Sequence, residues 1–116
     1  MNKDNDLMSF LENITKSRGL LSLTYSDFSP IESIIDYRRI TYNDECPSIE
    51  YNNFCRENTN RIIININSTK SYTYEMTQKI INFIRSQFIN ENIEILLGEL
   101  LSENETEITV DIILYI

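Results

Sequence analysis

The fold is decided by four consecutive segments in the second half of the chain: IIININ (Ile62–Asn67), Thr73–Phe88, EILLGELL (Glu94–Leu101) and EITVDIILY (Glu107–Tyr115). The first, third and fourth segments are rich in Ile, Leu and Val, as buried strands are. The second has apolar residues at the three-and-four spacing of an amphipathic helix. The order therefore predicts strand, helix, strand, strand.

Alternation within the first strand puts Ile62, Ile64 and Ile66 on one face, because successive side chains of a strand point to opposite sides. Thr73 is suited to cap the helix, whose predicted buried side is formed by Met76, Ile80, Ile81, Ile84 and Phe88. Only Ser102–Thr106 (SENET) separates the last two strands. A connection this short predicts a hairpin.

The first half of the chain begins with a predicted helix, Asp4–Lys16, followed by Gly19 and a short predicted strand, Leu20–Tyr25. The Ser29-Pro30 pair is typical of a helix start, since a proline in the first turn sacrifices no hydrogen bond. We expect that helix to run to Tyr37 or Arg38, with an inner face of Ile31, Ile34 and Ile35.

The signals weaken between Arg39 and Asn60. Arg39–Tyr42 is compatible with an edge strand and Ile49–Arg56 with a short helix. Together the segments predict an α+β fold, a helix followed by β-α-β-α-β-β. Strand–helix–strand units form parallel crossovers and the last strand is antiparallel, so we expect a two-layer sandwich with a mixed four-stranded sheet and helices on one face.

The charge of the chain argues against two classes of partner. Its 116 residues include 10 basic and 18 acidic side chains, for a net charge of −8. An acidic surface without a basic stripe repels phosphate backbones and anionic lipid. No apolar run approaches the roughly 20 residues of a membrane span. We therefore expect no nucleic acid and no membrane span.

The cysteines and the lack of histidine limit the chemistry. Cys46 and Cys55 are the only cysteines and the chain has no histidine, so a four-ligand zinc site has too few donors. The N-terminal residues carry acids where a signal peptide is apolar. We expect a cytoplasmic protein with reduced cysteines and with no catalytic residue, cofactor or metal.

The sequence also resembles the C-terminal domain of FtsZ, the bacterial tubulin homologue. Arg18–Asp27 is similar to that family's Pro-Gly-Leu-Ile-Asn-Val-Asp-Phe-Ala-Asp loop and strand. Similar strands and helix residues follow in the family's order: Ile63–Ile66, Thr73, Arg85, Ile95–Gly98 and Glu107–Ile113. The resemblance implies a single FtsZ/tubulin C-terminal-domain-like domain over 1–116, with 1–18 a remnant of the central helix.

In the family this loop reaches the nucleotide pocket of the neighbouring subunit, where Asn and acidic residues position the attacking water. Ser22 stands at the Asn position, Thr24 at the first Asp position, and only Asp27 is retained. The glycine-rich phosphate loop of the GTPase half is absent from this sequence. The resemblance therefore implies docking without catalysis, through Arg18, Gly19, Ser22, Thr24 and Asp27.

The function that this resemblance implies is a non-enzymatic protein-interaction module in cell division. Its expected partner is an FtsZ-family GTPase, whose filament end it would cap, or another copy of itself. Two alternatives stay open: a small chorismate-mutase-like trimer that binds an anion through Arg61 and Arg85, and an acidic inhibitor or immunity-type binding protein. Tyrosines such as Tyr37, Tyr51 and Tyr74 fit either an interface or half-buried packing equally well.

Overall fold

The computed structural model describes residues 25–42, 50–69, 73–101 and 107–116. These residues contain two short 3-10 helices, Tyr25–Phe28 and Ile31–Ser33, followed by four strands and two α-helices. The bounds are β1 Ile34–Thr41, α1 Asn53–Asn58, β2 Arg61–Ser68, α2 Tyr74–Ser86, β3 Glu94–Leu101 and β4 Thr109–Tyr115. The α+β class is confirmed, and the described strands and α-helices follow the order β-α-β-α-β-β, although the first strand and first helix of this order are Ile34–Thr41 and Asn53–Asn58, not the segments predicted for them.

The four strands form one mixed sheet in the order β1-β4-β2-β3. β2 and β3 are parallel, as the crossover through α2 requires. β4 is antiparallel to both of its neighbours, β1 and β2. The sheet is therefore mixed and four-stranded, as the segment pattern predicts.

The predicted hairpin between the last two strands is wrong. β4 does not pair with β3 but lies on the other side of β2, where Asn65 is opposite Asp111. The physical reason is burial, because every residue from Val110 to Tyr115 is buried. A strand that is buried on both faces belongs in the middle of a sheet. A hairpin on β3 would have left β4 at an edge.

The predicted helix after Ser29-Pro30 is also wrong, because only Ile31–Ser33 is helical and Ile34 begins β1. The three isoleucines do not share a face: Ile31 and Ile34 pack on one side of the sheet and Ile35 on the other. A β-bulge between Ile34 and Asp36 shifts the register there. An irregular strand start thus reproduces the spacing of a helix.

The predictions for the segment between Arg39 and Asn60 agree approximately with the structure. Arg39–Tyr42 was compatible with an edge strand, and Arg39 to Thr41 end β1 at the edge of the sheet. The short helix expected at Ile49–Arg56 is α1, which lies slightly later in the chain. Asn52 caps it, since its side chain accepts a hydrogen bond of 2.9 Å from the Cys55 N–H. The predicted helix Asp4–Lys16 and strand Leu20–Tyr25 lie outside the described residues, apart from Tyr25.

The two α-helices cover one face of the sheet. Ile62, Ile64 and Ile66 pack there with Ile80 and Ile84 of α2, as their alternation predicts. The Thr73 hydroxyl accepts a hydrogen bond from the Met76 N–H (3.4 Å), which confirms the predicted cap. The opposite face carries a second cluster around the two 3-10 helices, made of Phe28, Tyr37, Ile63, Ile113 and Tyr115.

Candidate functional site

Of the five predicted docking residues, the structure describes one. Arg18, Gly19, Ser22 and Thr24 lie outside the described residues, whereas Asp27 lies in the first 3-10 helix. Residues 29–30 connect that helix to the second 3-10 helix. We call residues 25–30 the clamped loop, for the contacts described next.

Two side chains of the sheet hold three consecutive carbonyl groups of the clamped loop. The Arg61 guanidinium donates to the Asp27 carbonyl (2.6 Å) and to the Ser29 carbonyl (3.1 Å). Between them, the Tyr115 hydroxyl donates to the Phe28 carbonyl (2.7 Å). The guanidinium carbon of Arg61 also lies 4.9 Å from the Tyr115 ring centroid, a cation–π contact. The loop backbone is thus fixed by the ends of β2 and β4.

Burial strengthens this clamp. Phe28 is fully buried in the second core cluster and anchors the loop from within. Burial raises the pKa of Tyr115 to about 12, although nearby Arg61 lowers it. The hydroxyl therefore stays protonated at neutral pH and remains a donor to Phe28.

The clamped loop presents polar side chains outward while its backbone is fixed. Ser26, Ser29 and Pro30 are exposed and Asp27 is half-buried. No metal-binding group of three or more His, Cys, Asp or Glu occurs within the described ranges. The chemistry that the loop offers is therefore hydrogen bonding and one carboxylate on a rigid support.

A second polar group on the same face of the sheet was not predicted from the sequence. Asp111 of β4 is fully buried, and its carboxylate accepts hydrogen bonds from four side chains. Arg39 donates twice (2.7 and 3.2 Å), and the other donors are Tyr37 (2.7 Å), Asn67 (3.0 Å) and Asn65 (3.4 Å). The available signal was the presence of Asn65, Asn67 and Asp111 in otherwise apolar strands.

This buried group is balanced in charge. The hydrogen bond to Asp111 is the main cause that raises the pKa of Arg39, against the opposing effect of burial. Because both Asp111 oxygens already accept from several donors, the carboxylate is not placed to take a proton from a substrate. The buried Asn65 amide oxygen has no hydrogen-bond partner within the described ranges, and outside this polar group the same holds for the Tyr51 hydroxyl and for Arg61 Nε. The group therefore orders β1, β4 and β2 with respect to one another.

The two arginines of the anion-binding alternative are not brought together within the chain. Arg61 is at the start of β2, and its two terminal guanidinium nitrogens donate to the clamped loop while the group stacks on Tyr115. Arg85 is exposed on α2, which covers the opposite face of the sheet. No geometric feature of the described residues favours this alternative.

The tyrosines are mostly core residues. Tyr37, Tyr42 and Tyr51 are buried, and the ring of Tyr51 contacts Phe88 with centroids 5.2 Å apart. Tyr74 at the start of α2 is 75% exposed. Tyr72 lies outside the described residues. Packing therefore explains Tyr37, Tyr42 and Tyr51, whereas Tyr74 is exposed.

Cys55 is buried in α1, while Cys46 lies outside the described residues. In the part of the chain that the structure describes, no helix is both long enough and apolar enough to cross a membrane.

The sequence matches no protein-family description and no curated protein. Among solved structures, it is similar to an empty FtsZ dimer from M. jannaschii, with a TM-score of 0.46 and 17% sequence identity. A tyrosine-for-tryptophan mutant of the same FtsZ gives a TM-score of 0.45 and 19% identity. Each match covers 49% of this chain and 17% of the FtsZ chain. These values are too low to carry a conclusion about function.

Proposed function

We propose that the protein is a non-enzymatic protein-binding module whose clamped loop docks on an FtsZ-family GTPase and caps its filament. The observation that carries the proposal is the fixation of three successive loop carbonyls by Arg61 and Tyr115. A loop that is ordered before binding loses little conformational entropy when a partner engages it. Preorganisation of this kind favours recognition.

The clamped loop also offers suitable contact groups. Asp27 is half-buried, and the neighbouring Ser26, Ser29 and Pro30 are exposed. A carboxylate and two hydroxyls on a fixed backbone form directional hydrogen bonds with a partner.

The choice of partner rests on the sequence. Arg18–Asp27 resembles the segment that FtsZ-type domains insert into the nucleotide pocket of the next subunit, and Asp27 is at the end of that segment. A domain that bound there without offering a nucleotide site of its own would stop the addition of further subunits. Such a role places the protein in the cytoplasm and in cell division.

The chemistry of the described residues favours binding over catalysis. The chain has no histidine to activate a serine or cysteine nucleophile. The buried Asp111 carboxylate is engaged by four side chains. A single carboxylate such as that of Asp27 does not by itself assemble a phosphate-hydrolysing site, which also needs groups that hold the phosphates.

The test mixes the purified protein with the FtsZ-family GTPase of the same host and follows polymer sedimentation and GTP turnover. We expect both to fall as the protein is added, because turnover requires contact between subunits. Asp27→Asn should weaken this effect, whereas Glu32→Gln, which removes the same charge from the exposed second 3-10 helix, should not. Unchanged polymer mass and turnover at large excess of the protein would refute the capping role.

A further inference from the structure

The sheet has two edges, and they differ in how they are protected. The strand order places β1 at one edge and β3 at the other. β1 is interrupted by the bulge between Ile34 and Asp36 and carries Arg38 and Arg39. Bulges and basic side chains are common means of preventing a further strand from pairing with an edge.

β3 has none of these features. It pairs with β2 in a continuous parallel register from Glu94 to Leu101, without a bulge, and its sequence contains no Pro, Lys or Arg. Among the described strands, β2 is its only partner. Its apolar side chains are partly exposed on both faces, namely Ile95, Leu96, Leu97 and Leu100. Such an edge is a ready template for another strand.

The direction of the β3 amides follows from one hydrogen bond. The Glu94 N–H donates to the Asn60 carbonyl (3.0 Å), at the β2 side of the strand. Successive N–H groups of a strand point to opposite sides. The N–H groups of Ile95, Leu97 and Glu99 therefore point away from β2, where a strand added at this edge would accept them.

We propose that β3 binds an extended, basic and apolar segment of a partner protein as an additional antiparallel strand. Antiparallel pairing is the more stable arrangement per residue. Charge selects the occupant: β3 carries Glu94 and Glu99, and the chain has a net charge of −8. A lysine or arginine opposite each glutamate is favourable, whereas a second copy of this chain would bring like charges together. The binding groups of this edge are the backbone N–H groups of β3, whereas the clamped loop is held by side chains of β2 and β4.

The probe is a labelled synthetic strand as long as β3 that alternates Val and Thr and carries a Lys opposite Glu94 and another opposite Glu99. A matched peptide has Glu at both positions. We expect fluorescence anisotropy to show binding of the Lys peptide and much weaker binding of the Glu peptide. Binding of neither peptide, or equal binding of both, would overturn the proposal.

Two variants locate the binding on β3. Leu97→Pro removes one outward-pointing N–H and leaves the hydrogen bonds between β3 and β2 intact. It should lower the affinity for the Lys peptide on the order of tenfold. Glu99→Lys should reverse the preference between the peptides, so the proposal remains testable even where the proline variant does not fold. Glu91→Lys makes the same charge change in the exposed turn before β3 and should keep the wild-type preference.

Further outcomes distinguish binding at the β3 edge from self-association and from the capping role. Self-association in sedimentation velocity that Leu97→Pro abolishes would assign the edge to a second copy and overturn the proposal. Asp27→Asn should leave peptide binding unchanged, and Leu97→Pro should leave the effect on the GTPase unchanged. A failure of the capping experiment would therefore not count against the β3 edge.

Discussion

Arg39 and Asp111 lie opposite each other on β1 and β4, and the guanidinium donates two hydrogen bonds, of 2.7 and 3.2 Å, to the carboxylate. The two ends of this ion pair have different environments. The Arg39 side chain is 54% exposed and the Asp111 side chain is fully buried. The buried charge of Asp111 therefore needs its partner for stabilisation, whereas the charge of Arg39 can also be solvated by water.

This asymmetry predicts that Arg39→Gln is destabilising. The variant leaves a buried carboxylate without its charged partner, at a cost of about 3 kcal/mol in the free energy of unfolding. Urea unfolding measures the loss. Arg85→Gln, at an exposed position on α2, should change the stability by less than about 0.5 kcal/mol. Equal effects of the two substitutions would contradict the assigned role of Arg39.

The hydroxyl of Tyr115 is predicted to order the clamped loop. Tyr115→Phe removes the donor to the Phe28 carbonyl and should cost about 1 kcal/mol in unfolding free energy. It should also speed hydrogen exchange of the Ser29 amide, which donates to the Ser26 carbonyl within the loop (3.2 Å). Tyr37→Phe removes a hydrogen bond to Asp111 instead, so it should destabilise the protein without affecting exchange at Ser29.

Tyr115 also predicts a loss of stability in alkali. Its pKa is raised from 10.0 to about 12, mainly by burial, so folding favours the protonated hydroxyl. This contribution is fully present below pH 10 and is lost as the pH rises from 10 to about 12. Burial raises the pKa of Tyr51 as well, and Tyr51 adds to the loss in the same direction. Urea unfolding across this range should show a shallower fall for Tyr115→Phe than for the wild type.

The central position of β4 predicts a large difference between two aliphatic substitutions. Ile112 of β4 is fully buried, and its truncation to alanine should cost about 4 kcal/mol. Leu97 of the edge strand β3 is only partly buried, so Leu97→Ala should cost about half as much or less. Similar losses for the two variants would indicate that β4 does not lie inside the sheet.

The sequence predicts β2, α2, β3 and β4 well because their apolar periodicity and the Thr73 cap are local signals. It does not predict where β4 pairs, since an apolar strand with a short connection fits a hairpin and a crossing to β2 alike. The helix predicted from Ile31, Ile34 and Ile35 is wrong because an irregular strand start, with a bulge between Ile34 and Asp36, has the same spacing of apolar residues as a helix. The clamp on residues 27–29 depends on Arg61 and Tyr115, which only the sheet brings together.

Arg61 gives the prediction that connects the clamp with docking. Arg61→Lys keeps the charge but loses the forked guanidinium, which donates to the Asp27 and Ser29 carbonyls at once and stacks on Tyr115. The lysine ammonium lacks this fixed fork and does not hold both carbonyls in place. The backbone around Asp27 therefore becomes more mobile, and a partner that binds it must pay the entropy of ordering it. The variant should therefore require more protein to reduce GTP turnover, and its melting temperature should fall by a few degrees because about one hydrogen bond is lost. Arg85→Lys is the matched control on the opposite face and should leave both quantities unchanged. If Arg61→Lys caps filaments as well as the wild type while Ser29 exchange becomes faster, order in the clamped loop is not what the GTPase recognises.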